Sequence, residues 1–247
     1  MSFETVENKL STSIAPYDNQ VVKTNDPLPD SYVNYIISGK KGTGKSTVVL
    51  NLLKRKNSPY HKYFDNIYLI SPTAKRDKKF DDLRSELEEE DKYFDELNEG
   101  IIQTIIDKLQ AFNDEFQAKK KNKKKKPRNL LILDDCIHML PKSTTSSNVN
   151  RIFTTSRHLK LSIWVVCQKY NKVNPLIRAN TDLISFFPSD NKKEVMTLID
   201  DLNIEPHLFK SIYDFATDKP NSFLHISLFG SKPKFFKKYD AIIIPDN

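Results

Sequence analysis

Residues 32–47 read Tyr-Val-Asn-Tyr-Ile-Ile-Ser-Gly-Lys-Lys-Gly-Thr-Gly-Lys-Ser-Thr, and the fold is built around this stretch. An apolar, β-rich run enters a glycine-bearing turn, and residues 48–56 continue as a helix-compatible segment. From Gly39 the turn fits the pattern G-x-x-x-x-G-K-[ST] at every fixed position, in the strand–loop–helix context that this pattern requires. Backbone N–H groups of such a turn and the amino end of its helix surround phosphate oxygens. The sequence therefore predicts a loop that holds the phosphates of a nucleoside triphosphate.

The loop residues have separate predicted roles. Lys45 is expected to reach the β- and γ-phosphates of ATP, and the Ser46 hydroxyl is expected to ligate Mg²⁺. The structural alternative is a glycine turn before an ordinary amphipathic helix, and the flanking strand and helix argue against it. The predicted nucleotide-binding residues are Gly39, Gly42, Thr43, Gly44, Lys45, Ser46 and Thr47.

Composition limits the class of protein. The 247 residues suit one large domain, or one domain with a sizeable insertion. A net charge of +7 favours a polyanionic partner. Cys136 and Cys167 lack metal-ligand spacing, and their apolar surroundings predict buried free thiols in a reducing compartment. Because no signal peptide or membrane-spanning apolar run is visible, we expect a soluble intracellular protein.

A second chemical element follows at residues 129–135, an apolar run that ends in two acids. This pattern is typical of a buried parallel strand that delivers carboxylates at its carboxyl end. Asp134 is expected to hold Mg²⁺ directly or through water, and Asp135 to polarise the attacking water. The alternative is a pair of acids that only caps the next turn.

Residues 161–168 form a third buried-strand pattern, which ends in Gln168. In a parallel sheet this amide reaches the same edge as the phosphates, where it would sense the γ-phosphate or orient water. The alternative is a strand-terminal residue that contacts no ligand. An ATPase site shared between subunits also needs an arginine that neutralises transition-state charge. The sequence leaves Arg151, Arg157 and Arg178 open for that role.

The remaining segments alternate between strand and helix patterns, which predicts a mainly parallel α/β sheet with helices on both faces. We expect an extended arm over residues 1–30 and one P-loop domain over 31–247, with a charged helical insertion at 74–128. The lysine-rich block 119–128 is either a DNA-binding segment or a solvated loop. The other predicted elements are strands near 65–72, 183–187, 222–229 and 235–244, and helices near 151–160, 190–202 and 205–216.

Residues 39–47, 130–135 and 161–168 resemble, in that order, the Walker A, Walker B and sensor strands of the FtsK/HerA superfamily. Within it the chain is most similar to the genome-packaging ATPases of large DNA viruses and virophages, the poxvirus-type packaging ATPases. Three further stretches support this narrower match: the paired acids at 134–135, Arg-His-Leu at 157–159 and Asn-Pro-Leu-Ile-Arg-Ala-Asn at 174–180.

The resemblance implies a P-loop fold in which the sensor strand lies between the two Walker strands. It implies a homo-oligomeric ring, a pentamer or hexamer, that hydrolyses ATP to package double-stranded viral DNA into a preformed capsid. A capsid portal or vertex protein is the implied partner, and the host cytoplasm (viral factory) or the virion is the implied location. Many superfamily members carry Glu where this chain has the shorter Asp135.

Two other functions remain open from the sequence alone. A P-loop nucleoside or nucleotide kinase fits the chain length, although such enzymes usually carry an arginine-bearing lid. A nucleotide-gated DNA-binding subunit would keep the phosphate loop without catalysis. Phosphate transfer to a nucleoside would favour the kinase, and function that survives Lys45→Ala and Asp135→Asn would favour the non-catalytic subunit.

Overall fold

The computed structural model describes residues 26–119, 126–140 and 147–244. Most of the predicted N-terminal arm and residues 120–125 of the lysine block therefore lie outside the described residues. Within the described part, nine strands form one sheet. The strands are β1 (Asn34–Ser38), β2 (Asn66–Ile70), β3 (Tyr93–Phe94), β4 (Asn129–Asp134), β5 (Leu161–Cys167), β6 (Leu183–Phe186), β7 (Leu224–Ser227), β8 (Lys234–Lys237) and β9 (Asp240–Ala241).

Helices connect the parallel strands and cover the sheet. The α-helices are α1 (Lys45–Lys54), α2 (Asp81–Glu89), α3 (Glu99–Ala118), α4 (Asn148–Thr155), α5 (Pro175–Ala179), α6 (Lys192–Leu202) and α7 (Pro206–Ala216). Short 3₁₀ turns lie at Ala74–Arg76, Lys78–Phe80 and Tyr170–Lys172. Within the described ranges, none of the helices has the length and hydropathy that a membrane crossing needs.

The strand order is β3-β2-β4-β5-β1-β6-β7-β8-β9. All pairings from β3 to β6 are parallel, and the strands from β6 to β9 pair antiparallel. The α/β fold class is thus as predicted, and β5, the sensor strand, lies between β4 and β1. This order decides which side chains meet at the carboxyl edge of the sheet.

Two apolar layers enclose the centre of the sheet, so every residue of β4 and β5 is buried. Alternate side chains serve opposite layers, as strand geometry requires. Ile132 and Trp164 pack with α1 and α2 on one face, whereas Leu133 and Val165 pack with α3, α4, α6 and α7 on the other. Such two-sided burial is typical of parallel sheets.

The charged segment at 74–128 also contributes to the core. Ile102, Ile105 and Leu109 of α3 are fully buried against the sheet, and β3 extends the sheet by one parallel strand. The helical character predicted for this insertion is confirmed by α2 and α3, whereas strand β3 was not predicted.

Two predicted boundaries are wrong. The strand expected at 235–244 is a hairpin of β8 and β9, because Lys238 takes a left-handed backbone (φ 57°) and reverses the chain. The helix expected at 151–160 is α4, which begins where Ser147 caps the Asn150 N–H and ends at Thr155. Helices α6 and α7 match their predicted positions, and Cys136 and Cys167 are buried free thiols as expected.

His225 of β7 holds the segment before β1 against the antiparallel end of the sheet. Its Nε2–H donates to the Pro27 carbonyl (2.7 Å), so its Nδ1 accepts from the Ser185 hydroxyl (3.1 Å). The Tyr35 hydroxyl completes the chain by donating to Ser185 Oγ (2.7 Å). Burial lowers the pKa of His225 to about 4, and the imidazole is therefore neutral at physiological pH.

This burial predicts a pH-dependent stability. As the pH falls below about 6.5, His225 becomes protonated in the unfolded chain. In the folded protein the buried His225 stays neutral until the pH reaches about 4. The free energy of unfolding should therefore fall by up to about 3 kcal/mol over this range relative to His225→Gln, which cannot titrate. Urea denaturation of both proteins between pH 4 and 7.5 measures this difference. Parallel pH profiles would contradict the prediction.

Candidate active site

The phosphate loop connects β1 to α1, and its glycines meet real backbone constraints. Gly42 (φ 83°) and Gly44 (φ 105°) adopt left-handed conformations that favour glycine. A Cβ atom on Gly39 would lie 2.5 Å from the Cβ of Phe187, so no side chain fits there. Gly39 is therefore required by close packing, and Gly42 and Gly44 by their backbone conformation.

Lys45 begins α1 and turns back over the loop. Its ammonium donates to the carbonyl oxygens of Gly39 (2.7 Å) and Lys40 (2.9 Å). Burial lowers the pKa of Lys45, and the negative charges of Asp135 and Asp134 act in the opposite direction. The lysine therefore lies within electrostatic reach of both acids.

Strand β5 fixes the positions of the two loops that carry these groups. The Gly39 N–H donates to the Cys167 carbonyl (3.1 Å) at one side of β5, and the Asp135 N–H donates to the Val166 carbonyl (3.0 Å) at the other. Because neighbouring strands lie about 4.8 Å apart, the two loops are separated by roughly 10 Å. This gap is wide enough for a phosphate group together with a metal ion or a water molecule.

Asp134 is oriented by a serine that the sequence analysis did not single out. Ser71 follows β2 and is fully buried, and its hydroxyl donates to Asp134 Oδ2 (2.9 Å). The same Ser71 oxygen accepts the Ala74 N–H (3.0 Å). Because an N–H group can only donate, the single hydroxyl hydrogen of Ser71 is directed to the carboxylate. One oxygen of Asp134 is thereby committed to Ser71, which leaves the other oxygen for a ligand.

The environment of Asp134 suits a divalent cation. Burial raises its pKa to about 6, and repulsion by Asp135 adds to this shift, whereas the Ser71 hydrogen bond and the positive charge of Lys45 oppose it. A bound cation would offset the buried negative charge. Mg²⁺ usually takes one or two carboxylates together with substrate phosphates, and Asp134 with the Ser46 hydroxyl fits that donor set. The described residues contain no cluster of three acidic, histidine or cysteine ligands.

Asp135 and Gln168 form a second pair at the same edge. The Gln168 Nε2 donates to both carboxylate oxygens of Asp135, at 3.2 and 3.1 Å. Asp135 has a left-handed backbone (φ 53°), an uncommon conformation outside glycine that aspartate tolerates. Since the amide uses a donor on Asp135, its oxygen remains an acceptor for a water molecule.

Arg157 lies at the opposite edge of the sheet. It donates to Asp182 Oδ1 (2.8 Å), and the other oxygen of this carboxylate accepts the Asn34 N–H (2.8 Å). Because Asn34 begins β1, Arg157 is separated from the phosphate loop by the length of that strand, roughly 15 Å. The structure does not bring Arg157 together with Lys45 within one chain.

Two further arginines differ in their surroundings. Arg178 pairs with Asp201 and lies 5.5 Å from the centre of the Tyr170 ring. Arg151 is exposed on α4, and its side chain makes no ion pair or hydrogen bond with the described residues. A charge that has no partner among the described residues remains available to another molecule.

Comparison with known protein families identifies relatives of this chain. The family model described as Poxvirus A32 protein matches residues 22–222. The chain belongs to the poxvirus A32 protein family. A relative from Invertebrate iridescent virus 6 is 26% identical over 193 residues, which cover 75% of this chain and 67% of the relative. A second, from Acanthamoeba polyphaga mimivirus, is also 26% identical, over 172 residues that cover 65% of this chain but only 55% of the relative.

A solved structure shares the fold of this A32-family chain. The DNA-packaging ATPase of Sulfolobus turreted icosahedral virus superposes with a TM-score of 0.58, covering 85% of this chain and 98% of that protein. At 15% identity this likeness establishes the fold alone.

The Ser71–Asp134 hydrogen bond yields a first test of the site. We expect Ser71→Ala to lower the kcat of ATP hydrolysis about tenfold and to change the KM for ATP less than about twofold, because the carboxylate loses its fixed rotation. Steady-state kinetics at saturating Mg²⁺ measure both constants.

Ser156→Ala is the matched control. Ser156 is also buried and donates to the Phe153 carbonyl (3.3 Å), near the amino edge of the sheet. An unchanged kcat for Ser71→Ala, or an equal loss for both variants, would contradict the assigned role of Ser71.

Proposed function

We propose that this A32-family chain hydrolyses ATP and uses the energy to move double-stranded viral DNA into a preformed capsid. The observation that carries the proposal is the convergence of Lys45, Asp134, Asp135 and Gln168 at one edge of the sheet. The packaging ATPase with the same fold and the family membership support it. A passive nucleotide pocket would need the phosphate loop but not the paired acid and amide.

The roles of the residues follow from the geometry. The loop and Lys45 bind the phosphates, and Ser46 with the free oxygen of Asp134 would hold Mg²⁺, which neutralises charge on the β- and γ-phosphates when it is bound. Asp135 accepts a proton from the attacking water, and Gln168 orients that water. These side chains supply positioning and electrostatic stabilisation, which dominate phosphoryl transfer.

The active site is completed by a neighbouring subunit in a ring. Phosphoryl transfer needs a cation near the developing charge. Of the three arginines, Arg157 and Arg178 are engaged with Asp182 and Asp201, whereas Arg151 is exposed without such a partner in the described part of the chain. We therefore assign Arg151 as the residue that acts on the neighbour's nucleotide.

Contact with DNA requires lysine and arginine side chains that neutralise backbone phosphates. The block at 119–128 is one source, with its central residues outside the described ranges. A second source lies beside the site, where Arg76, Lys78 and Lys79 are exposed on the turns that follow Ser71. A capsid portal or vertex protein would receive the DNA, in the host cytoplasm or the virion.

DNA-stimulated hydrolysis is the first expected result. The ATPase rate should rise when double-stranded DNA is added at low salt, and Lys45→Ala and Asp135→Asn should each lower kcat at least about 100-fold. Light scattering with a non-hydrolysable analogue should give the mass of a ring. An ATPase rate that DNA does not change, in a protein that stays monomeric, would contradict the proposal. Phosphate transfer from ATP to a nucleoside would indicate a kinase.

Arginine sharing predicts complementation between two inactive variants. Arg151→Ala should lose about 10³-fold in kcat, and Lys45→Ala should be inactive through its own loop. A mixture should regain activity, because a Lys45→Ala subunit still presents Arg151 to an intact loop. Arg157→Ala is the control and should lower stability more than kcat. A mixture no more active than its parts would contradict the assignment of Arg151.

A further inference from the structure

A cavity beside the phosphate loop contains none of the acids described above. Its volume is about 830 Å³, and it lies between α1 and the antiparallel end of the sheet. Gly44 and Thr47 of the phosphate loop form one end of its wall. The cavity volume falls in the range of small-molecule sites.

One wall of the cavity is a single face of α1. Thr47 and Asn51 of α1, and Arg55 directly after its last residue, line it at intervals of four residues along the same side of the helix. With a rise of 1.5 Å per residue, successive side chains are about 6 Å apart. These polar side chains therefore form a row that extends away from the phosphate loop.

The opposite wall consists of two tight turns. Asn221 (φ 58°) and Lys238 (φ 57°) both adopt left-handed backbones, which are uncommon outside glycine and concentrate at functional sites. The Asn221 side-chain oxygen lies 4.0 Å from the position of a Cβ on Gly44. The amide of Asn221 is thus within reach of whatever the loop binds.

Aromatic rings form the apolar part of the lining. The rings of Phe187 and Phe223 lie 4.9 Å apart between centroids, and Tyr239 packs edge-on against Phe223 at 5.5 Å. Pro27 adds to the outer wall, where the His225 hydrogen bond holds it in place. A flat, partly apolar ligand could therefore pack on the aromatic rings, with Pro27 covering its outer side.

Some polar groups of this cavity bond within the protein, as Thr43 and Ser58 do, but four others have no described partner. Among the residues that the structure describes, the side chains of Asn51, Arg55, Asn221 and Lys238 have no hydrogen-bond or ion-pair partner. Few, convergent polar groups in a largely apolar pocket are the usual composition of a ligand site.

We propose that this cavity binds the nucleoside of the triphosphate, with Asn51 and Asn221 as the residues that contact the purine base and ribose. The inference rests on the proposed function, since the phosphate loop must first hold the phosphates. An asparagine amide offers a donor and an acceptor side by side, which match the N6 and N7 atoms of adenine. The aromatic rings of the lining pack against the base, and the ribose lies along the polar face of α1 beyond Thr47.

Inorganic tripolyphosphate separates the two halves of the ligand, because it carries the phosphates without the nucleoside. Calorimetry with Mg²⁺ should show that Asn51→Ala and Asn221→Ala each raise the Kd for ATP about tenfold. Their Kd for tripolyphosphate should stay within about twofold of the unaltered protein. Lys45→Ala should weaken both ligands. Asn98→Ala, which removes the cap of α3 far from the cavity, is the matched control and should change neither.

Each outcome has a separate meaning. If Asn51→Ala and Asn221→Ala bind ATP as tightly as the unaltered protein, or lose tripolyphosphate equally, the nucleoside site is overturned. If the unaltered protein binds tripolyphosphate as tightly as ATP, the nucleoside makes no contact and the inference also fails. A protein that binds neither ligand would overturn the proposed function itself.

Discussion

The position of β5 between β4 and β1 is the constraint on which the site depends. Its last two carbonyls accept the N–H groups that begin the phosphate loop and the acid-bearing loop, at Gly39 and Asp135. Both hydrogen bonds lie within a fully buried strand, where an unpaired carbonyl is costly. The spacing between the phosphate-binding and acidic groups is therefore set by backbone pairing rather than by flexible side chains.

Burial of this edge gives the acidic groups their chemistry. The carboxylate of Asp134 is buried, and Ser71 fixes its orientation by a hydrogen bond. The positive charge of Lys45 stabilises its ionised form, which suits the binding of a cation. Asp135 is less buried and is bonded to Gln168. Adjacent residues thus have different environments, one suited to metal binding and the other to water. This division of roles matches what metal-assisted phosphoryl transfer requires.

Much of this could be predicted because the motif residues are local in sequence. The glycine spacing in the loop, the paired acids after β4 and Gln168 after β5 each follow an apolar run that reads as a buried strand. Parallel pairing then brings them to one edge.

The missed residues depend on contacts between distant segments. Ser71 falls at the end of the strand predicted near 65–72, and its role becomes visible only when β2 pairs with β4. Asn221 and Lys238 lie on turns 177 and 194 residues after Gly44 of the loop they face, and no local pattern links them. The choice among arginines likewise rests on Asp182 and Asp201, whose partners the sequence does not reveal.

A structure with Mg²⁺ and a non-hydrolysable ATP analogue tests the central claim most directly. The account predicts that Lys45 leaves the carbonyls of Gly39 and Lys40 for the phosphates, and that the Asp134 oxygen not bonded to Ser71 faces the metal. It also predicts a water molecule between Gln168, Asp135 and the γ-phosphate. A γ-phosphate directed away from β4, with Asp134 and Asp135 contacting neither metal nor water, would contradict the account.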